Sequence, residues 1–549
     1  MPPTFDRRTF LETTAAAVLS AGALSAAPSQ PARPKAPFRV LYSNDTTNVT
    51  GCVSPFHKKG EPFRAKMLEA SVDEVAGRVD AHFLQPGLGM VPMWPSKVLP
   101  LESHYAWIKQ RYGQRPDSFG AFVLAGGDVV QTFVDRCRTT GPAAFISFRL
   151  NDAHHKEYAD PSPGDKPGTS IGMSVTRHYV EHPEYRLKQG SKRNTDLVQN
   201  WAIADVRAQK FALITELCEN YDLDGLELDF MRWPYFFIEP ETTLEQRCSI
   251  ITGFVAEIRA LLDRTARGGR RRWLCARVPC LVKALGPVGL DLPAMIKAGL
   301  DMVNMSASYF TTQRMDFAAL RKLSAGATLY GELCHSVWNG EKLIPGYDTN
   351  VFRRASKEQL QTTAHLAYAR GADGVSLFNF AYYREHGSAG RGPFSEPPFD
   401  LLPHLGDRDW LASQPQHFFL AKGWSNSFVR PPLLPRSLDT SRSTRFGLDL
   451  APPKGGWQQE ARLRIQTLAP LAVQSLTAKL NGHELAIRAD VAEPFDGIHP
   501  ALLGQPAQLR AWSVPAALLV SGNNVVEFTL SAGKSISNVF IDLTYKPTV

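Results

Sequence analysis

The chain has 549 residues, 44% of them hydrophobic and 21% charged, with a formal net charge of +8. Its length exceeds one ordinary core and its balance is globular, which excludes both a disordered chain and a single small domain. Beyond the N-terminus no run of about 18 apolar residues offers a membrane span, and no basic stripe with a recognition helix suggests nucleic acid.

The first element reads as an export signal. FDRRTFLETTAAAVLSAGALSAAPSQPARP has paired arginines, a modest apolar stretch, small residues and a Pro-rich tail. Arg7-Arg8 before Thr9, Phe10 and Leu11 resembles the twin-arginine type, which exports folded proteins. The reading is a signal peptide over 1–27, a linker over 28–37, and a bacterial periplasmic or extracellular destination. Seven cysteines form no CxxC pair and no zinc-like spacing. An odd, scattered set in an exported chain argues against a disulfide framework and for buried thiols. Neither a metal nor another cofactor is expected.

From residue 38 to about 405, β-rich apolar runs alternate with helical stretches. The runs are FRVLYSN (38–44), VDAHFLQ (79–85), AAFISFRLN (143–151), GLELDF (225–230), WLCARVP (273–279), MVNMSAS (302–308), TLYGEL (328–333) and GVSLFNF (374–380). VRAQKFALITELCENY and IITGFVAEIRALLDRT, between them, place apolar residues at helical spacing. Strand then helix, about eight times, predicts a (β/α)8 TIM barrel over 38–405. A doubly wound sheet is disfavoured because no G-x-G-x-x-G follows the first strand and no P-loop occurs. The run RTARGGRRRW (264–273) reads as a solvated basic loop.

Over 406–549 the pattern becomes alternating polarity between Pro, Gly and Asn turns, as in STRFGLDLAP, ARLRIQTL and ISNVFIDLTYKP. LNGHEL reads as a hairpin with an Asn-Gly turn. The prediction is a C-terminal all-β sandwich, jelly-roll-like, serving either sugar binding or bracing.

In such a barrel the chemistry gathers at the C-terminal ends of the strands. With Leu226, Leu228 and Phe230 facing the helices, Glu227 and Asp229 point inward, about 6–7 Å apart. The same alternation turns Ser147, Arg149, Asn151 and Arg277 inward. Deep Glu227 is expected to pair with Arg149 or Arg277, and stays a third catalytic candidate. Asp229, at the rim, is the first. Glu332, at the end of the seventh strand, is the second, since glycoside cleavage commonly uses two carboxyls. Asp152 is held in reserve.

Asn151, Asp152, His154 and His155 open a connection running to about 195, a length that in a barrel is usually functional. Adjacent histidines share no face, so a metal there is disfavoured. Asn304, Ser306, His335 and Asn379 are further candidates for binding hydroxyls. Rings follow several strands: Trp233, Tyr235, Phe236 and Phe237; Tyr309 and Phe310; Trp338; Tyr382 and Tyr383. Grouped at one end, they suit the C–H faces of pyranose rings.

DGLELDFMRWP, with Asp229 and Arg232 in it, resembles the fourth-strand signature of bacterial glycoside-hydrolase-like barrels, among them the glycosyl hydrolase-like 10 domain family. SFRLNDAHH and ADGVSLFNF are similar to the third and eighth strands of related exported barrels. The resemblance spans about 38–400 and implies a glycosidase fold with Asp229 at the acidic strand-end position. Chitinase-type barrels carry D-G-x-D-x-D-x-E, whereas here Asp224, Glu227, Asp229 and Met231 stand at those positions. Methionine donates no proton, which argues against the substrate-assisted mechanism and a chitin-like substrate.

The expectation is a glycoside hydrolase acting on a poly- or oligosaccharide, anionic ones included, through Asp229 and Glu332. The alternatives are a non-catalytic glycan-binding protein and a polysaccharide lyase whose Arg149 and Arg277 neutralise a uronate.

Overall fold

The computed structural model describes residues 34–154, 171–191, 193–339, 352–386, 394–423, 428–429, 434–440, 442–471, 475–496 and 504–547. The signal read over 1–27 lies outside the described residues, and so does His155.

Eight parallel strands close into a barrel: β1 (Val40–Asn44), β2 (Ala81–Leu84), β3 (Ala143–Arg149), β4 (Gly225–Asp229), β5 (Trp273–Pro279), β6 (Met302–Ser306), β7 (Thr328–Cys334) and β8 (Gly374–Phe378). Each bonds to its neighbours in sequence, and β8 closes on β1. All eight predicted runs are strands, with ends shifted by at most two residues. Leu226 and Leu228 pack outward with Leu213, Leu217, Phe254 and Ile258 of the helices Ala204–Asn220 and Leu244–Arg264. Each such leucine contributes roughly 1.5–3 kcal/mol by leaving water. The second helix starts at a capping box: Thr243 and Gln246 exchange side chain to backbone bonds of 3.1 and 2.8 Å.

Inside, Leu41, Phe83, Phe145, Met302 and Tyr330 fill the lower barrel. Gly225 is required there, because a Cβ would stand 2.1 Å from the Phe145 ring. Higher up the inward residues turn polar, and register sets them side by side. Ser147 lies beside Glu227, Arg149 beside Asp229, Arg277 beside Asn304, and Ser376 beside Glu332. A lower layer of apolar packing thus carries an upper layer of charge at the strands' C-terminal ends.

The basic run is a mostly exposed loop, as read, and several of its arginines are paired. Arg270 pairs with Asp222 at 2.6 Å and Asp224 at 2.9 Å, Arg271 pairs with Asp301, and Arg272 donates to the carbonyls of Cys218 and Tyr221. These arginines tie off the N-terminal end of the barrel. None of the seven cysteines is in a disulfide, and only Cys248 is not fully buried.

The C-terminal part is a sandwich of two antiparallel sheets. One runs in the order Gln416–Ala421, Ile536–Tyr545, Ala461–Thr467, Leu509–Val514, Ile487–Arg488, with Arg436–Leu438 also on Ile536–Tyr545. The other runs Thr444–Leu450, Gly522–Leu530, Leu476–Leu480, His483–Glu484. Leu463, Trp512, Phe528 and Ile541 fill the space between. The predicted hairpin turns at Asn481 and Gly482, both at positive φ (51° and 89°), and pairs Leu480 with His483.

The sandwich joins the barrel through a short hairpin between β7 and β8, Ser336–Asn339 with Phe352–Arg354. Trp338 stacks on Phe540 at 6.0 Å, and Phe540 on Phe419 at 6.0 Å. Buried Arg353 pairs with Glu493, which also meets Arg464 at 3.0 Å. Trp338, expected in the mouth, is therefore a seam residue: stacked on Phe540, its ring is already covered. Phe236, Phe237, Phe310 and Tyr383 are likewise buried packing residues.

Candidate active site

Arg277 is the hub of the mouth. Its Nε and Nη2 grip Glu332 at 2.6 and 2.8 Å, Nη1 donates to both Asp229 oxygens at 3.2 and 3.3 Å, and Nη2 reaches the Ser308 carbonyl at 3.3 Å. The Phe378 ring lies 4.0 Å away under the guanidinium. The two carboxylates proposed from sequence, on strands β4 and β7, are thus brought onto one cation, only 1% and 2% exposed. Their fillings differ. Glu332 accepts three bonds, the third from the Ser306 hydroxyl at 2.5 Å. Asp229 Oδ1 also takes the Met231 N–H at 2.8 Å, but Oδ2 holds only its long contact to Arg277. Burial raises the Glu332 carboxyl above its ordinary range, against the pull of Arg277 and Ser306.

Glu227 departs from expectation. It pairs with neither Arg149 nor Arg277; Ser147 (2.7 Å) and Asn304 (3.2 Å) donate to it, with the Cys275 thiol at 3.5 Å. The reason is register: Arg149 and Arg277 stand level with Asp229, one layer higher. Burial, then the Asp229 charge, push the Glu227 carboxyl up to about 7. Near neutral pH it therefore holds its proton part of the time, beneath the ion pairs.

A pH dependence follows. The folded state binds this proton where the unfolded chain has released it, so the contribution is complete below about pH 4.5 and is lost as pH rises through about 7. The loss is about 3 kcal/mol. Urea titrations from pH 4.5 to 8 are expected to show this decline in the wild type and its absence in Glu227→Gln. Parallel curves would mean that Glu227 is ionised throughout.

A second cluster lies across the mouth. Arg149 pairs with Asp45, with Asp152 at 3.0 Å and with Gln85 at 2.8 Å. Asn379 donates to Asp45 at 3.2 Å and accepts the Asp45 backbone N–H at 2.8 Å. Asp152 accepts from the backbone N–H and Nδ1 of His154 at 2.7 and 2.5 Å. Burial alone would raise Asp152, but His154, Arg149 and Arg232 outweigh it and hold its carboxyl well below the usual range. Asp45 is lowered in the same way, chiefly by Arg149.

The open rim belongs to His154, its side chain 39% exposed, with Arg232, Tyr309, Trp233 and Tyr382 half-buried beside it. Arg232 donates to Tyr309 and to His154 Nε2 at 2.9 Å and lies 3.6 Å from Asp152. His335 is buried between Tyr309 and Tyr382, with ring centroids 6.5 and 5.2 Å away, and its Nε2 has no partner. Burial keeps this imidazole neutral. Asn151 donates to the carbonyls of Gln199 and Tyr235 at 2.9 and 2.8 Å, bracing two mouth loops. Asn304 bridges Glu227 and Ser376 below the rim.

Three contributors were missed from sequence: Asp45, Gln85 and Ser308; Ser306, a candidate for binding hydroxyls, instead donates to Glu332. Asp45 and Gln85 follow the first two strands immediately, in YSND and HFLQ, and that position was their signal. Ser308 has φ of 67°, a conformation that costs a non-glycine residue of order 1 kcal/mol or more. It turns the Ser308 carbonyl onto Arg277 while its N–H bonds Ser306 at 2.8 Å. No single-strand pattern reveals such a turn.

Charge at the described mouth is balanced. Asp45, Asp152, Asp229 and Glu332 face Arg149, Arg232 and Arg277, with Lys210 buried behind Asp152. Each of the three guanidiniums already has a carboxylate.

No family model matches the chain, and no curated protein does. Solved structures do. A putative α-L-fucosidase from Bacteroides thetaiotaomicron matches 93% of this chain and 95% of its own at 12% identity and a TM-score of 0.34. A GH27 β-L-arabinopyranosidase from Geobacillus stearothermophilus matches 90% and 97% at 11% and 0.34. A GH36 α-galactosidase from the same organism matches 92% of this chain and 55% of its own at 11% and 0.34. Superpositions this loose carry no argument about activity. The barrel stands on its own strand ladder.

Proposed function

We propose that the chain is a glycoside hydrolase acting on a poly- or oligosaccharide at the mouth of its barrel, with Asp229 and Glu332 as the working carboxyls. One observation carries the reading. Asp229 Oδ2, at the end of β4, is among the least satisfied carboxylate oxygens in the mouth, with one bond of 3.3 Å. A glycosyl transition state is oxocarbenium-like, so a carboxylate with a free lone pair serves as nucleophile or as base for water. Glu332, whose proton affinity burial raises, supplies the proton to the departing oxygen. Arg277 holds both groups in register and Ser308 holds Arg277. The lyase alternative lacks support, since Arg149 and Arg277 are each spent on two carboxylates.

The test is product analysis after incubation of the purified chain with plant, algal and microbial glycans, followed by a leaving-group comparison. Glu332→Gln is expected to slow alkyl glycosides by about 10²-fold or more and activated aryl glycosides far less, because a good leaving group needs no acid. Equal slowing of both would make Glu332 a clamp on Arg277 and remove it as the acid.

A further inference from the structure

We infer, on the basis of the glycosidase reading above, that Arg232 is the guanidinium that meets the sugar and that His154 is its positioning residue. His154 holds Arg232 in the mouth only while its imidazole is uncharged. Of the three mouth arginines, Arg232 reaches solvent furthest: its side chain is 14% exposed, against 1% for Arg149 and 3% for Arg277. Arg149 and Arg277 are gripped by carboxylates at 3.0 and 2.6 Å. Arg232 instead gives its Nη1 and Nη2 to uncharged acceptors, the Tyr309 hydroxyl and His154 Nε2 at 2.9 Å, while Asp152 stays 3.6 Å from its Nε. It follows the β4 end directly, three residues beyond Asp229, and its Cζ lies 5.2 Å from the Tyr309 ring centroid. Its N–H groups can pass from uncharged partners to sugar oxygens at little cost, an exchange closed to the two charge-locked arginines.

Two contacts fix the hydrogen on His154. Asp152, held well below the usual carboxylate range, is ionised and only accepts. Nδ1, 2.5 Å from it, therefore carries the hydrogen, and Nε2 offers its lone pair to Arg232. A proton from solvent on Nε2 turns that acceptor into a donor and sets two cations nitrogen to nitrogen at 2.9 Å. The contact then breaks and Arg232 leaves its place. His154 is open to such a proton, with its side chain 39% exposed. Among the described residues its charged surroundings are Asp152 and Arg149 after and on β3, Asp45 after β1, and Arg232 after β4. Asp45 and Asp152 are both lowered, so neither competes for the proton between about pH 5 and 8, where histidine side chains change charge.

The experiment screens the full chain with malto-, cello-, xylo- and manno-oligosaccharides together with plant, algal and microbial glycans, then follows KM and kcat on a cleaved substrate from pH 5 to 8. In the wild type KM is expected to rise about tenfold as pH falls to 5, with kcat changing less. Arg232→Met should raise KM about tenfold at pH 8 and flatten its dependence on pH. His154→Ala should raise KM at pH 8 nearly as much, and His154→Gln less, because the amide oxygen still accepts from Arg232. Neither His154 variant should show the acid-side rise. Adding His154→Ala to Arg232→Met should change KM by less than about twofold, since the residue acts through the missing guanidinium. An acid-side rise that persists in His154→Gln, or KM effects that multiply in the double variant, overturns this inference and leaves the glycosidase reading standing. Failure to cleave any glycan sinks the glycosidase reading and this inference together.

Discussion

Asp229→Asn is expected to reduce glycan cleavage by about 10³-fold or more with the barrel intact. Asparagine keeps the shape and the oxygen that accepts the Met231 N–H, so the β4 end stays in place. What disappears is the negative charge and the lone pair on Oδ2, the two properties an oxocarbenium-like transition state uses. The substitution also turns an amide toward Arg277, replacing an ion pair by a weaker contact, so a modest fall in stability accompanies the loss. Far-ultraviolet circular dichroism and a thermal melt separate the two effects. Added azide tests the chemistry further: with Asp229→Gly, a small anion entering the vacated space should restore turnover of an activated glycoside if Asp229 is the nucleophile. Undiminished cleavage by a folded Asp229→Asn protein would take Asp229 out of the mechanism.

Much of the architecture was legible because it rests on local signals. Period-two apolar strands separated by amphipathic helices specify a barrel strand by strand, and alternation alone turned Glu227, Asp229, Arg149, Arg277 and Glu332 inward. Partner choice was not legible. Whether Arg277 meets Glu227 or Asp229 depends on the stagger between β4 and β5, which sets Arg277 level with Asp229. Stagger is a property of the closed barrel, and no one strand encodes it. Trp338 was misplaced for a related reason: a ring just past a strand end belongs to the mouth unless the chain doubles back. Here Ser336–Asn339 pairs with Phe352–Arg354 and carries Trp338 under Phe540 of the C-terminal sandwich. The Ser308 turn and the Asp45–Arg149 pair likewise join residues far apart in sequence.

Arg277→Met is expected to be the most destabilising single change in the mouth, at about 3–5 kcal/mol near pH 8. The guanidinium is buried and supplies three bonds to Glu332 and Asp229 of 2.6–3.2 Å, with a fourth at 3.3 Å. Methionine fills much of the volume and can still pack on Phe378, so the cost arises from two carboxylates left without a cation rather than from a void. Those carboxylates then bind protons more readily than in the unfolded chain. A raised acid in the folded state stabilises at low pH and loses that contribution as pH rises, so the deficit of the variant should shrink toward pH 5 and widen toward pH 8. Denaturant unfolding at both pH values measures it. Adding Glu332→Gln to Arg277→Met should return part of the lost stability at pH 8, since one unpaired charge is removed, whereas Glu332→Gln alone should destabilise. A deficit that ignores pH, or a double variant no better than Arg277→Met, would mean that water reaches these carboxylates and that the mouth is not the closed, charge-matched assembly on which the roles of Asp229 and Glu332 depend.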